Sequence, residues 1–163
     1  MKRTPKSLRL QIGIFGRTNV GKSSFLNMVS GQDVAITSPI PGTTTDVVEK
    51  TMELLPVGPV VFLDTAGLDD SSELASLRVK KTRRIFDRSD VILLLIEAGH
   101  WNEYEDMVLA EADTRRIPVI VCVNKIDANP PSQELLRAIS LKTKRVIPVS
   151  SVDLKNRDLY VNP

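Results

Sequence analysis

The sequence is poor in the residues that build metal centres and disulfide frameworks. Its 163 residues include one cysteine, Cys122, and one histidine, His100. One thiol can close no disulfide and build no metal site alone, and His100 stands equally isolated, which makes it a loop residue rather than a ligand or base. Cys122 lies inside the apolar run PVIVCV and reads as a small core hydrophobe. Long apolar runs are absent too: the longest, Val91 to Ile96, is far too short to span a membrane. No long apolar segment follows the basic start MKRTPKSLRL, so no signal peptide is expected. A formal net charge of +2 is too small to suggest a polyanion binder. There is no internal repeat and no low-complexity tract. These absences leave a mildly basic, cytoplasmic protein that makes no membrane contact.

What is present suits a single domain with its own core. Apolar residues make up 42% and charged residues 26%, as in ordinary globular proteins. Apolar runs alternate with amphipathic stretches, giving strand candidates at 9–15, 46–55, 59–64, 91–97, 118–123 and 145–149. Helix candidates fall at 22–30, 73–88, 101–115 and 132–140. Continuous runs such as VILLLI and VIVCV suit strands buried on both faces of a parallel sheet. The piece LLPVGPVVFLD contains a tight turn and predicts an antiparallel pair at one sheet edge. In 73–88, Leu74, Leu77, Ile85 and Phe86 form an apolar stripe, opposed by a basic face of Arg78, Lys80, Lys81, Arg83 and Arg84. No aromatic residues interleave with that face, so it reads as solvated rather than as a nucleic-acid contact. Trp101, Tyr104, Val108 and Ala112 read as the packing stripe of the next helix.

The chemistry begins at GRTNVGKSS, residues 16–24, which fits G-x-x-x-x-G-K-[ST]. Glycines at 16 and 21 let successive backbone N–H groups point at phosphate oxygens where a side chain would clash. Lys22 can neutralise the β and γ phosphates, and the Ser23 hydroxyl can ligate magnesium. The remaining loop positions, Arg17, Thr18, Asn19, Val20 and Ser24, complete the cradle. A chance match in a chain of this length is on the order of one in a hundred. Asp64-Thr65-Ala66-Gly67 ends the run VVFLD, which places Asp64 at a strand's C-terminal end, where ligands bind in α/β sheets. Asp64 can hold the magnesium shell, and Gly67 can offer its backbone N–H to the γ-phosphate. A strand ending in Asp-Thr is also an ordinary helix cap. Order and spacing favour the magnesium role.

Asn124-Lys125-Ile126-Asp127 ends the next apolar run and forms N-K-x-D. The Asp127 carboxylate can accept from both guanine N1–H and its 2-amino group, a donor pair adenine lacks. Asn124 can reach the N7 side and tie its loop to the phosphate loop, while the stem of Lys125 lies along the base. Ser150-Ser151-Val152 can put a backbone N–H on guanine O6. Pro41 to Asp46 (PGTTTD) lies between the first helix and second strand. A threonine there can ligate magnesium and sense the γ-phosphate; Thr44 is the candidate and Thr43 its rival.

These motifs, taken in their order along the chain, resemble a translation-factor-class GTPase of the P-loop superfamily, over residues 10–152. The resemblance implies a Ras-like, three-layer α/β fold with a mostly parallel six-stranded sheet and one antiparallel edge strand. GTP or GDP and Mg²⁺ are the implied ligands. After VIPVSSVD only LKNRDLYVNP follows, too short for the helix that usually closes this fold. The expectation is one GTP-binding domain over 1–163 that is an N-terminal fragment of a larger protein, its final helix missing. GRTNVGKSS, PGTTTD and DTAGL resemble the TrmE–Era branch, which includes tRNA-modification and ribosome-assembly GTPases. GQDVAITSPIPGTTTD, MELLPVGPVVFLDTAGLDD and ELASLRVKKT look more narrowly like HydF, which serves maturation of [FeFe]-hydrogenase. That family implies downstream dimerisation and cluster-binding domains, with hydrogenase and other maturation proteins as partners and a homodimer as one assembly. Its cluster ligands are absent here, so no iron–sulfur cluster is expected in this part.

The branch also bears on mechanism. Where small GTPases carry a glutamine after DxxG, this chain has Leu68, which can neither hydrogen-bond nor move a proton. In relatives a potassium ion held by the loop asparagine replaces an arginine finger, and Asn19 matches that asparagine; the plain reading is that it caps the loop. Glu73 is the nearest match to a water-orienting glutamate, across a shorter loop. Slow hydrolysis, stimulated by K⁺, is expected, with Lys22, Thr44 and Gly67 around the γ-phosphate. Three readings follow: the hydrogenase-maturation switch, a TrmE–Era sibling acting on tRNA or ribosomes, and a guanine-binding module that does not hydrolyse.

Overall fold

Among the described residues six strands and four helices follow one another, and the order of the strands in the sheet explains where a ligand can sit. The computed structural model describes residues 8–17, 19–30, 47–54, 56–64 and 75–151, with the side chains of 75–78 excepted. The elements are β1 (Leu10–Gly16), α1 (Lys22–Ser30), β2 (Val48–Leu54), β3 (Gly58–Asp64), α2 (Ala75–Arg88), β4 (Val91–Glu97), α3 (Glu103–Thr114), β5 (Val119–Asn124), α4 (Gln133–Lys142) and β6 (Arg145–Pro148). They form one sheet in the order β2-β3-β1-β4-β5-β6. Among the described strands only the β2–β3 pair is antiparallel. The expected mostly parallel α/β sheet with one antiparallel edge strand is therefore what the chain builds. Parallel pairing makes the strands' C-terminal ends, at Gly16, Asp64, Glu97, Asn124 and Pro148, share one edge.

Each sheet face has its own apolar cluster. Phe15, Val61, Leu63, Leu94 and Ile96 face Ile85 and Phe86 of α2, Val108 and Ala112 of α3 and Ile139 of α4. Phe15 and Phe86 stack with ring centroids 4.7 Å apart. On the opposite face Ile12, Ile14, Val60, Phe62, Leu95 and Cys122 meet Phe25, Leu26, Met28 and Val29 of α1. Among the described residues, the helical side chains of this second cluster come from α1 alone. Cys122 is buried in it, which pushes its thiol up to about 12 and keeps it inert, as expected of a core hydrophobe.

Local chemistry accounts for the element ends. Gly58 takes φ +101 to close the β2–β3 turn, facing Leu54 in the ladder. Asn102 caps α3 by accepting from Tyr104 N, and Glu105 returns a bond from Asn102 N, a full capping box. That box starts the helix at Glu103 rather than at 101. Ser132 caps α4, whose end lies at Lys142, two residues past the expected limit. The sequence reading of α2 needs one correction: Lys81 is buried, so it does not belong to the solvated basic face. Lys80, Arg83 and Arg84 are exposed. No described helix is long and apolar enough to cross a membrane.

Candidate nucleotide site

The loop from β1 to α1 is shaped by close approach. A Cβ at Gly16 would fall 2.6 Å from Val20 Cγ1 and 3.1 Å from Leu95 O. Gly21, at φ +95, would place one 2.7 Å from Asn124 Nδ2. Asn19 is left-handed at φ 64, a conformation asparagine tolerates better than most residues. Val20 N bonds Arg17 O at 3.2 Å and Phe25 N bonds Gly21 O at 2.9 Å, so the loop curls straight into α1. Lys22 folds back on the loop, donating to Gly16 O at 3.2 Å. Ser23 and Ser24 are exposed in the first turn of α1, where unpaired backbone N–H groups favour an anion. Thr18 lies outside the described residues.

Two further loops are bonded directly to this one. Asn124 is buried; its Nδ2 donates to Val20 O at 2.9 Å, and its Oδ1 accepts from Ser151 Oγ at 2.7 Å and Ser151 N at 3.2 Å. Lys125 Nζ donates to Asn19 O at 2.5 Å and lies 3.5 Å from Glu97 Oε2. Asp127 is exposed, and Ser150 Oγ donates to its Oδ1 at 2.7 Å. Loop, N-K-x-D segment and Ser150–Ser151 thus form one hydrogen-bonded unit at the sheet's C-terminal edge. A carboxylate presented to solvent beside a backbone-lined anion cradle fits a ligand with an amide-like base at one end and phosphates at the other. Val152 lies outside the described residues.

The expected magnesium groups are oxygen donors, as a hard cation requires. Ser23 stands at the start of α1 and Asp64 at the end of β3, and Asp64 is paired with Lys50 Nζ at 2.9 Å. Thr44, Gly67 and Glu73, together with Thr43 and Leu68, lie outside the described residues.

Sequence reasoning named Arg17 but missed three features of the site: the role of the Arg17 side chain, Glu105 and Lys50. Arg17 does not turn its guanidinium to the cradle: Nε donates to Glu105 Oε1 at 2.8 Å, a second nitrogen donates to Glu105 Oε2 at 3.1 Å, and Asn102 Oδ1 also accepts from it. Its guanidinium also lies 5.3 Å from the Tyr104 ring centroid. What Arg17 offers at the loop is its backbone, while its side chain anchors the loop to the start of α3. Glu105 and Lys50 are the other two. The spacing of Asn102 and Glu105 carries a capping-box signal; nothing local marks its contact with Arg17. A cavity of about 150 Å³ lined by Arg17, Val20, Glu97, His100 and Glu105 lies behind the loop.

Burial pushes the Glu105 carboxyl up, but the Arg17 hydrogen bond, the backbone N–H groups of Asn102 and Glu105, and the Arg17 charge together hold it below its ordinary value of 4.5. The Glu105 hydrogen bond likewise raises Arg17. A lowered carboxyl stabilises the fold above its unfolded-state pKa, and that contribution is lost as pH falls through the folded-state value. Glu105→Gln is therefore expected to cost about 1–2 kcal/mol at neutral pH. The difference from the native protein should shrink below pH 4.5, as urea unfolding at pH 7 and pH 3 would show.

Comparison with known proteins agrees with this geometry. The model of a family described as 50S ribosome-binding GTPase matches residues 11–125. The chain belongs to this GTPase family. The tRNA modification GTPase MnmE of Nitrosomonas europaea is 37% identical over 128 residues, covering 77% of this chain and 28% of MnmE. Aquifex aeolicus Era bound to GDP·AlF₄⁻ matches with a TM-score of 0.70 at 31% identity, covering 93% of this chain and 54% of Era. A second Era structure, in complex with MgGDPNP and nucleotides 1506–1542 of 16S ribosomal RNA, gives 0.69 at 30% identity, covering 93% of this chain and 54% of that one. The chain thus spans about a quarter of the length of the MnmE relative.

The family match supports GTP or GDP with Mg²⁺ as ligands of this GTPase domain. The comparisons also bear on two further expectations. The relatives carry tRNA-modification and Era names, so the narrower resemblance to HydF, with its hydrogenase partners, finds no support in them. One matching GTPase is itself bound to RNA, so the lack of aromatic residues on the α2 basic face is no ground for excluding nucleic acid.

Proposed function

We propose that this chain is the guanine-nucleotide switch of a larger TrmE–Era-type GTPase that acts in tRNA modification or ribosome assembly. The observation that carries the switch reading is the direct bonding of phosphate loop, N-K-x-D segment and Ser150–Ser151 through Asn124. The tRNA-modification relative supports the RNA-side purpose.

In this reading Asp127 accepts from the guanine edge and Ser150 orients it, while the Ser150-Ser151-Val152 segment, in which Ser151 N is already bonded to Asn124 Oδ1, puts a backbone N–H on O6. Lys125 lays its stem along the base. The amides from Arg17 to Ser24, Thr18 included, wrap the phosphates, and Lys22 swings from Gly16 O to the β and γ oxygens. Ser23, Thr44 and Asp64 would hold magnesium, which when bound would supply positive charge to the phosphates. Asn19 would hold potassium, and Glu73 would orient water in place of a glutamine at position 68, where this chain has Leu68. Gly67 gives its N–H to the γ-phosphate; loss of that phosphate releases segments 32–46 and 67–76, which gates contact with partners.

The purpose is tested on the full-length parent protein. Crosslinking and sequencing of bound RNA should recover tRNA or ribosomal RNA in a nucleotide-dependent way. The hydrogenase-maturation reading remains second, favoured by the proline-rich β2–β3 turn and the Leu77–Thr82 run LRVKKT on α2. Anaerobic reconstitution would then yield a stoichiometric iron–sulfur cluster with a reduced-state EPR signal and no enriched RNA.

A further inference from the structure

Every second residue of β2 points to the face covered by α1: Val48, Lys50, Met52 and Leu54. Three are apolar and one is a lysine. In the ladder Val48 lies opposite Asp64 and Lys50 opposite Phe62, so Lys50 and Asp64 are diagonal neighbours on that same face. The Lys50 ammonium reaches Asp64 Oδ2 at 2.9 Å, with side-chain exposures of 7% and 3%. Two charges removed from water this far hold together only while each is compensated.

Asp64 is also the carboxylate read above as part of the magnesium shell, and the inference rests on that reading. We propose that Lys50 is a resident cation that neutralises Asp64 before magnesium arrives and gives it up when magnesium binds. Lys50 and magnesium then compete for one buried carboxylate. The apparent magnesium affinity is the intrinsic affinity reduced by the fraction of molecules in which Lys50 has let go.

The test is a magnesium titration of fluorescent GDP binding by the purified protein, with melting curves to verify folding. Lys50→Met and Lys50→Gln are expected to lower the half-maximal magnesium concentration about tenfold or more, by removing the competitor. The glutamine keeps an amide donor for Asp64 and so protects the fold. Lys50→Arg, which keeps the charge, should titrate close to the native protein. Superimposed titrations for the native protein, Lys50→Met and Lys50→Gln would overturn the proposal. In the unmodified protein the NMR signal of the Lys50 side chain must move over the same magnesium range; a signal that stays put overturns it without any variant. Asp64→Asn separates the two levels. If the native protein responds to magnesium and Asp64→Asn does not, the Asp64 reading stands whatever Lys50 does. If Asp64→Asn responds like the native protein, the reading of Asp64 itself fails.

Discussion

Replacing Asp127 with alanine is expected to weaken GDP binding by about a thousandfold, ~4 kcal/mol, with no loss of fold. The affinity loss follows from the chemistry of the guanine edge, where one carboxylate satisfies two donors at once and no water can do so within a closed site. The intact fold follows from geometry, because Asp127 is exposed and, among the described residues, its Oδ1 accepts from the Ser150 hydroxyl alone. Asp127→Asn sharpens the test. An amide has one acceptor and one donor, so it mismatches the 2-amino group of guanine but matches the 2-oxo group of xanthine. Calorimetry should show XDP binding this variant better than GDP. GDP affinity within about threefold of native for Asp127→Ala would remove Asp127 from the base site.

Asn124→Ala is expected to damage stability and binding together. Asn124 is 1% exposed and joins three segments: it donates to Val20 O and accepts from both Ser151 N and Ser151 Oγ. Truncation leaves a buried carbonyl and a buried N–H without partners, costing about 2–4 kcal/mol in urea unfolding. Without that tie the loop at Val20 and the segment at Ser151 are no longer held in one frame, so GDP affinity should fall by about tenfold or more. Ser151→Ala removes one bond of the three, and about 1 kcal/mol is expected there. Equal small losses for both variants would mean that Asn124 is no hub.

The parts of the site legible in the sequence are those whose requirements are local. Gly16 and Gly21 announce themselves because a Cβ at either would collide with Val20, Leu95 or Asn124. Asn124 follows an apolar run that can only be a buried strand, so its place at the C-terminal edge of the sheet was readable without coordinates. The hairpin of β2 and β3 was readable from Pro56-Val57-Gly58 for the same reason. What the sequence hid is set by partners far along the chain. Arg17 looks like a phosphate ligand until Glu105, 88 residues away, takes its guanidinium. Lys50 looks like a surface lysine on an edge strand until the ladder brings it diagonal to Asp64. Lys81 sits in a basic run and is nonetheless buried, because a helix face is defined by what packs on it and not by its neighbours in sequence.

Phosphate release by the purified protein, measured with GTP and with ATP in magnesium and potassium chloride, tests the central claim most directly. Slow, saturable turnover of GTP, slower still when sodium replaces potassium, with ATP at background, is the predicted result. Equal turnover of ATP, or a GTP rate no higher than a Lys22→Ala control, would contradict it.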